Sequence, residues 1–107
     1  MTESPAIGDD RTGAGPGPFV LPEILDISVA QSLKADILER VAVEGPLTID
    51  ASQVEKIGSA AIQIIHAAGL ARAIRGRAMT VKDPSSAFIQ GFTDIGFAQD
   101  LKNWSAN

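Results

Sequence analysis

Residues 47–62 read LTIDASQVEKIGSAAI, and this stretch decides how the chain folds. Its first three residues favour a short β-strand, which ends at Asp50. After a polar link, Val54 returns an apolar side chain to the core. The pattern then becomes helical, and Ser59 has the side chain and the position of an N-cap for a helix over 60–75. The stretch therefore predicts a strand, a link and a helix in immediate succession.

The helix over 60–75 has two apolar faces at about 100° per residue. The larger face contains Ile62, Ile65, His66, Gly69 and Ala73, and the smaller contains Ile64, Ala68 and Ala71. Arg72 and Arg75 lie in the last turn, where cations suit the helix dipole, and Gly76 is a suitable C′ residue. The second apolar face favours helices that gather on one side of a sheet.

A strand and a helix precede this stretch. Residues 19–21 predict a short strand that Pro22 stops. Asp26 and Ser28 are both candidate N-caps for the helix that follows, and Ser28 has capping-box spacing with Gln31. The apolar stripe of that helix consists of Val29, Ala30, Leu33, Ile37 and Val41. Gly45-Pro46 ends the element.

A further strand and helix come after it. Residues 79–81 predict the strand, and Asp83-Pro84 predicts the helix start, with Asp as N-cap and Pro at N1. This helix carries Phe88, Ile89 and Phe92 and is predicted to end at Gly96, with Phe97 and Leu101 docking a short last segment. The order β-α-β-α-β-α, with crossovers of helical length, predicts a single small α/β domain over 19–107. Its sheet is expected to be largely parallel or mixed, with the helices mainly on one face. Residues 1–18, rich in Gly and Pro, are expected to form a flexible tail.

Composition excludes several classes of function. The chain has 107 residues and a net charge of −4, and a basic patch for nucleic acid is not expected. It has no Cys and a single His, His66, so neither a disulfide nor a multi-histidine metal site forms within one chain. No apolar run is long enough to span a bilayer, and the N-terminus lacks the pattern of a secretory signal. The sequence predicts a cytoplasmic protein.

The chain has a poor inventory for catalysis. Ser59 and His66 lie two turns apart on the same helix, about 10 Å along its axis, so they cannot form a nucleophile–base pair. The Gly-rich run 13–17 follows no strand and fails the context of a dinucleotide site. Asp36 and Glu39 are most simply a solvated face, and His66 is expected to be a satisfied core or rim histidine. The sequence predicts no enzyme, no metal and no cofactor.

Ser59 allows two interpretations. It is an N-cap worth about 1 kcal/mol, or it is a phosphoacceptor. A phosphoryl group at a helix start would gain from free backbone N–H groups and from the dipole.

The run 47–62 resembles the core of STAS domains, the anti-sigma-factor antagonist fold. In that family a strand ends in an Asp, as at Asp50, a Val and an Ile follow, as at Val54 and Ile57, and an Asp-Ser motif opens the next helix. The resemblance extends from Phe19 to about Trp104 and includes the run 21–26 and Ile95-Gly96-Phe97. It implies a mixed sheet with helices on one side. Gly58 stands where the family usually has Asp, and Ala61 where it usually has Gly.

The resemblance implies a non-enzymatic switch that binds a protein partner. Ser59 falls on the position that a serine kinase of the histidine-kinase-like ATPase class, acting as an anti-sigma factor, phosphorylates. A subgroup associated with bacterial chemotaxis clusters also relaxes the motif, and its members bind a chemotaxis histidine kinase and influence phosphate flow to a response regulator. Small STAS subunits of phospholipid-trafficking transporters are a third alternative. The expected partner surface consists of Ser52, Gln53, Lys56, Gly58, Ser59, Ala60 and Gln63.

Overall fold

Strands and helices alternate along the chain. The computed structural model describes residues 17–105, and the part of the predicted tail at 1–16 lies outside them. The strands are β1 (Phe19–Val20), β2 (Ile24–Leu25), β3 (Leu47–Asp50), β4 (Lys56–Ile57) and β5 (Met79–Lys82). The helices are α1 (Ile27–Val41), α2 (Ser59–Ile74), α3 (Ser86–Asp94) and α4 (Ala98–Asn103). The α/β fold and the predicted order are confirmed, with the two-residue strands β2 and β4 added.

The strands form two parallel groups. One sheet has the order β1-β3-β5, and β2 pairs with β4. In the larger sheet Ile49 is opposite Val81, and Asp50 is opposite Lys82. All three named strand pairs are parallel. Parallel pairing requires a long crossover connection between the two strands, and each of these pairs is connected through a helix.

The core lies on one side of the larger sheet. In β3 and β5 buried and more exposed residues alternate, with Leu47, Ile49, Met79 and Val81 buried. These side chains join residues of α1, α2 and α3 in one apolar cluster. Ile49 of the predicted strand at 47–49, and Ile62, Ile65 and Phe88 of the predicted helices, are all buried. Helices therefore cover mainly one face, as expected.

The first helix follows its predicted stripe closely. Ala30, Leu33, Ile37 and Val41 are buried. Of the two candidate caps, Asp26 is the one that acts, because its carboxylate accepts the N–H of Ser28 at 2.9 Å. Hydrogen bonds from Ser28, first from its hydroxyl and then from its N–H, lower the pKa of Asp26.

The predicted start of α3 is wrong. The N-cap is Ser85, whose hydroxyl accepts the N–H of Phe88 at 3.1 Å. Asp83 instead has a positive φ of 50° and lies in a turn. That turn brings the Ser85 N–H to the carbonyl of Ala51 at 3.1 Å, and this contact outside the local sequence moves the helix start. The predicted end is confirmed, since α3 stops at Asp94 and Gly96 follows with φ 90°.

The predicted faces of α2 need two corrections. Ala73 is exposed, whereas Arg72 is fully buried. The Arg72 guanidinium donates five hydrogen bonds to four backbone carbonyls, those of Val41, Val43, Gly45 and Ala78. These bonds connect the last turn of α2 to the end of α1, to the loop that follows α1 and to the residue directly before β5. Burial and the nearby charges of Arg77 and Arg75 lower the pKa of Arg72, which stays protonated because guanidinium is such a weak acid.

Candidate functional site

The start of α2 is fixed by backbone pairing. β4 runs beside β2, with Ile57 opposite Leu25. The next N–H, that of Gly58, donates to the Leu25 carbonyl at 2.9 Å. This bond holds Gly58 in an extended conformation (φ −97°, ψ 168°), and its carbonyl accepts the N–H of Ile62 as the first helical hydrogen bond. Gly58 is thus the N-cap, and no side chain from the described part of the chain caps α2.

The prediction that Ser59 is the N-cap is therefore wrong. Ser59 is the first residue of the helix, one position too late for its hydroxyl to act as a cap. The side chain is exposed, and its hydroxyl makes no hydrogen bond within residues 17–105. The N–H groups of the first helical turn have no intrahelical acceptor and point the same way. A charged group on Ser59 would meet solvent and the positive end of the helix dipole.

Gly58 leaves room for a side chain. A Cβ at this position would lie 3.6 Å from the carbonyl oxygen of Leu25, an ordinary contact. Its φ of −97° is open to any residue. The fold would therefore accept an Asp at position 58, and the backbone does not require a glycine there.

The link between β3 and β4, residues 51–55, is held in place at both ends. Ala51 is buried, and its N–H donates to the Lys82 carbonyl at 3.1 Å. Val54 is also buried and anchors the other end. Asp50 accepts the N–H of Ser52 at 2.9 Å. Hydrogen bonds from Ser52, first from its hydroxyl and then from its N–H, lower the pKa of Asp50, and the charge of Lys82 adds to this.

Helix α3 packs tightly behind the start of α2. A Cβ at Gly91 would lie 2.6 Å from Cγ2 of Ile57 and 3.2 Å from Cδ1 of Ile62. Only glycine allows this approach without a shift of the two isoleucines. Sequence reasoning missed Gly91, since a glycine inside a helix carries no mark of what it contacts.

The structure gives the seven predicted partner residues different exposures. Ser52, Gln53, Lys56, Ser59 and Gln63 are exposed, and Gly58 and Ala60 are half-buried. Four of them, from Gly58 to Gln63, lie together at the N-cap and first turns of α2, and Lys56 lies in β4 directly before it. Ser52 and Gln53 lie in the link between β3 and β4. That they form one partner surface with the start of α2 remains a prediction.

His66 belongs to another part of the molecule. Its Nδ1 lies 2.5 Å from Oδ2 of Asp100, and its ring stacks on Phe97 with 4.1 Å between centroids. The pair ties α2 to α4, which confirms the prediction of a satisfied histidine. In the described part of the chain, no group of three His, Cys, Asp or Glu side chains could hold a metal ion. Among the helices of residues 17–105, none has the length and apolar character needed to cross a membrane.

Comparison with known proteins points to a family. A family model described as "Mlab, STAS domain" matches residues 19–102, which covers all the strands, the first three helices and most of α4. No curated protein and no solved structure matches the chain. The matched range includes every residue of the candidate surface.

Proposed function

Because the chain belongs to the STAS domain family, we propose that it is a non-enzymatic module of bacterial signal transduction that binds a protein partner in the cytoplasm. STAS domains are in general regulatory modules without enzymatic activity. The partner proposed first is an anti-sigma factor that is also a serine kinase of the histidine-kinase-like ATPase class. The chain would then act as the antagonist of that factor.

One observation carries this proposal. The Ser59 hydroxyl is exposed and unbonded within the described chain, at a helix start that backbone pairing holds without its help. Modification of this oxygen would therefore leave the fold in place. A phosphoryl group would add a charge of roughly −1.5 to −2 to the contact surface. Such a charge, facing a partner without a counter-ion, would weaken the complex.

The surroundings of Ser59 support close approach of a partner. Gly58 and Ala60 on either side have little or no side chain, so a partner could reach the backbone. Lys56, Gln53 and Gln63 are exposed and supply a polar rim. Small residues surrounded by polar ones suit a contact that can form and dissociate.

A second candidate is constitutive binding of a chemotaxis histidine kinase. The specific observation that favours it is Gly58, which puts no carboxylate beside Ser59 although the backbone has space for one. In this case Ser59 would be a contact residue and would receive no phosphoryl group. The effect on the response regulator would then follow from occupancy of the kinase alone.

The experiment that separates these candidates uses the partner itself. The full chain is used to capture proteins from source cells, and the main prey is identified by mass spectrometry and purified. It is then incubated with ATP and the wild-type, Ser59→Ala or Gly58→Asp chain, and the intact masses are measured. For an anti-sigma ATPase we expect a phosphoryl group on the wild type, none on Ser59→Ala, and faster modification of Gly58→Asp.

Three other outcomes would contradict the first candidate. The captured protein could instead be a chemotaxis histidine kinase that binds the chain and leaves the mass of the chain unchanged. That result would favour the second candidate. Capture of a transporter subunit would contradict both. A modification that persists in Ser59→Ala would remove Ser59 from the account.

A further inference from the structure

Helix α2 has an outward face with almost no charge. From Ser59 to Ile74 the only charged residue is Arg72, and it is buried. A helix that is apolar all round is normally covered on all sides. Here the outward face is open among the described residues: Ala67 and Leu70 are exposed, and Ile74 is 86% exposed.

This face continues into a groove between α2 and α1. The groove has a volume of about 830 Å³. Its walls are aliphatic apart from two glutamines and one lysine. They consist of Ile27, Ala30, Gln31, Lys34, Ile37, Leu38, Val41, Ala60, Gln63, Ile64, Ala67, Ala68 and Ala71. Ile27 is 78% and Leu38 is 56% exposed. Because the groove follows α1, which has 15 residues, it is about 22 Å long.

The charge on the lining of the groove is positive. Among the described residues, Lys34 is the only charged one that lines it. No acidic side chain of residues 17–105 forms an ion pair with this ammonium group. A ligand that fits the groove would thus bury apolar side chains and place an acidic group beside Lys34. The alanines of α2 would let another helix approach closely.

We propose that the α1–α2 groove binds an amphipathic helix of a protein partner, with its apolar stripe in the groove and an acidic side chain opposite Lys34. The inference rests on the proposed function, since it takes the chain to be a protein-binding module, and it names the element that the partner supplies. The groove begins at Ala60 and Gln63, which also belong to the proposed partner surface. One partner could therefore contact Ser59 and fill the groove.

Other occupants fit less well. A small ligand needs a site that encloses most of its surface, and this groove is open along its length. A second copy of the chain, docked groove to groove, would bring Lys34 against a lining in which the residues of 17–105 include no acid. Residues 1–16 contain two prolines and glycines at 8, 13 and 15, a composition that does not suit an amphipathic helix.

The test uses the full isotope-labelled chain and two synthetic peptides of about 15 residues, enough to span α1. Both carry one leucine stripe at helical spacing and differ only in a central residue, Glu or Lys. We expect the Glu peptide to shift amide signals of α1 and α2 in NMR spectra and to bind about tenfold more tightly than the Lys peptide. Lys34→Glu should reverse the preference, whereas Lys102→Glu, on exposed α4, should preserve it.

A second pair of variants separates the groove from the rest of α2. Ala67→Glu puts a charge in the groove and should abolish binding, while Ala73→Glu, exposed but outside the groove, should not. Circular dichroism verifies that both fold. Equal binding of the two peptides, no binding, shifts confined to other elements, or dimerisation that Ala67→Glu prevents would each overturn the inference. Partner capture that tolerates Ala67→Glu but not Ser59→Asp would overturn it and leave the proposed function standing.

Discussion

The N–H of Gly58 donates to the carbonyl of Leu25 at 2.9 Å, and this bond sets where α2 begins. The cap position is occupied by a residue without a side chain, held in place by the β2–β4 pair. The first residue with a hydroxyl, Ser59, is left outside the capping arrangement. The same arrangement leaves the Ser59 side chain exposed at the first position of the helix.

The first prediction concerns the stability contribution of Ser59. Since its hydroxyl caps nothing, Ser59→Ala should change the free energy of unfolding by no more than about 0.5 kcal/mol. Ser85→Ala is the matched comparison, because the Ser85 hydroxyl does cap α3, and it should cost about 1 kcal/mol. Urea unfolding followed by circular dichroism measures both. A larger loss for Ser59→Ala than for Ser85→Ala would contradict the assignment of the cap.

The core position of α2 gives a second prediction. Ile65 is fully buried, so Ile65→Ala should lower the free energy of unfolding by about 2–5 kcal/mol through lost burial and a residual cavity. Ile74→Ala makes the same chemical change on the same helix at an 86% exposed position, and its effect should stay within about 0.5 kcal/mol. Chemical denaturation of the two variants under one condition compares them. Similar losses would refute the orientation of α2.

Arg72 supplies the third prediction. Lysine keeps the charge but cannot reproduce a planar fork that donates to the carbonyls of Val43, Gly45 and Ala78. Arg72→Lys should therefore destabilise the domain by about 2 kcal/mol, as buried carbonyls lose their donors. Arg75→Lys, at an exposed position next to the end of α2, should be close to neutral. Thermal unfolding of both variants would detect the difference, and equal melting temperatures would be the contrary result.

These residues mark how far the sequence could predict the structure. The stripe of α1 and the burial of Ile65 followed from helical periodicity, because local spacing determines which face meets the core. Arg72 was assigned to the helix dipole, and its real acceptors come from residues 41–45 and 78, which local patterns do not bring together. The same holds for Ser59: it has the right residue type for a cap, but the distant strand residue Leu25 decides the boundary. Of the candidate site, the sequence located the exposed helix start and missed the groove and Gly91, which both depend on how helices pack.

The acid dependence of stability gives a fourth prediction. Hydrogen bonds from Ser52 hold the pKa of Asp50 below its ordinary value of 3.8. A lowered pKa in the folded state means that the contribution is fully present above the unfolded pKa and is lost as pH falls through the folded one. Ser52→Ala should raise the pKa of Asp50 and be less stable than wild type at neutral pH, with the difference disappearing in strong acid. NMR titration of the Asp50 carboxyl, with Ser59→Ala as control, measures this. An unchanged titration in Ser52→Ala would contradict it.

The central claim is that charge on Ser59 switches a contact without disturbing the fold. Isothermal titration calorimetry of the purified partner with the wild-type, Ser59→Ala and Ser59→Asp chains tests it most directly. We predict that Ser59→Ala binds within about twofold of wild type and that Ser59→Asp binds at least about tenfold more weakly, while both keep the wild-type melting temperature or exceed it slightly. Equal affinity of all three proteins would contradict the claim and reduce Ser59 to an ordinary surface residue.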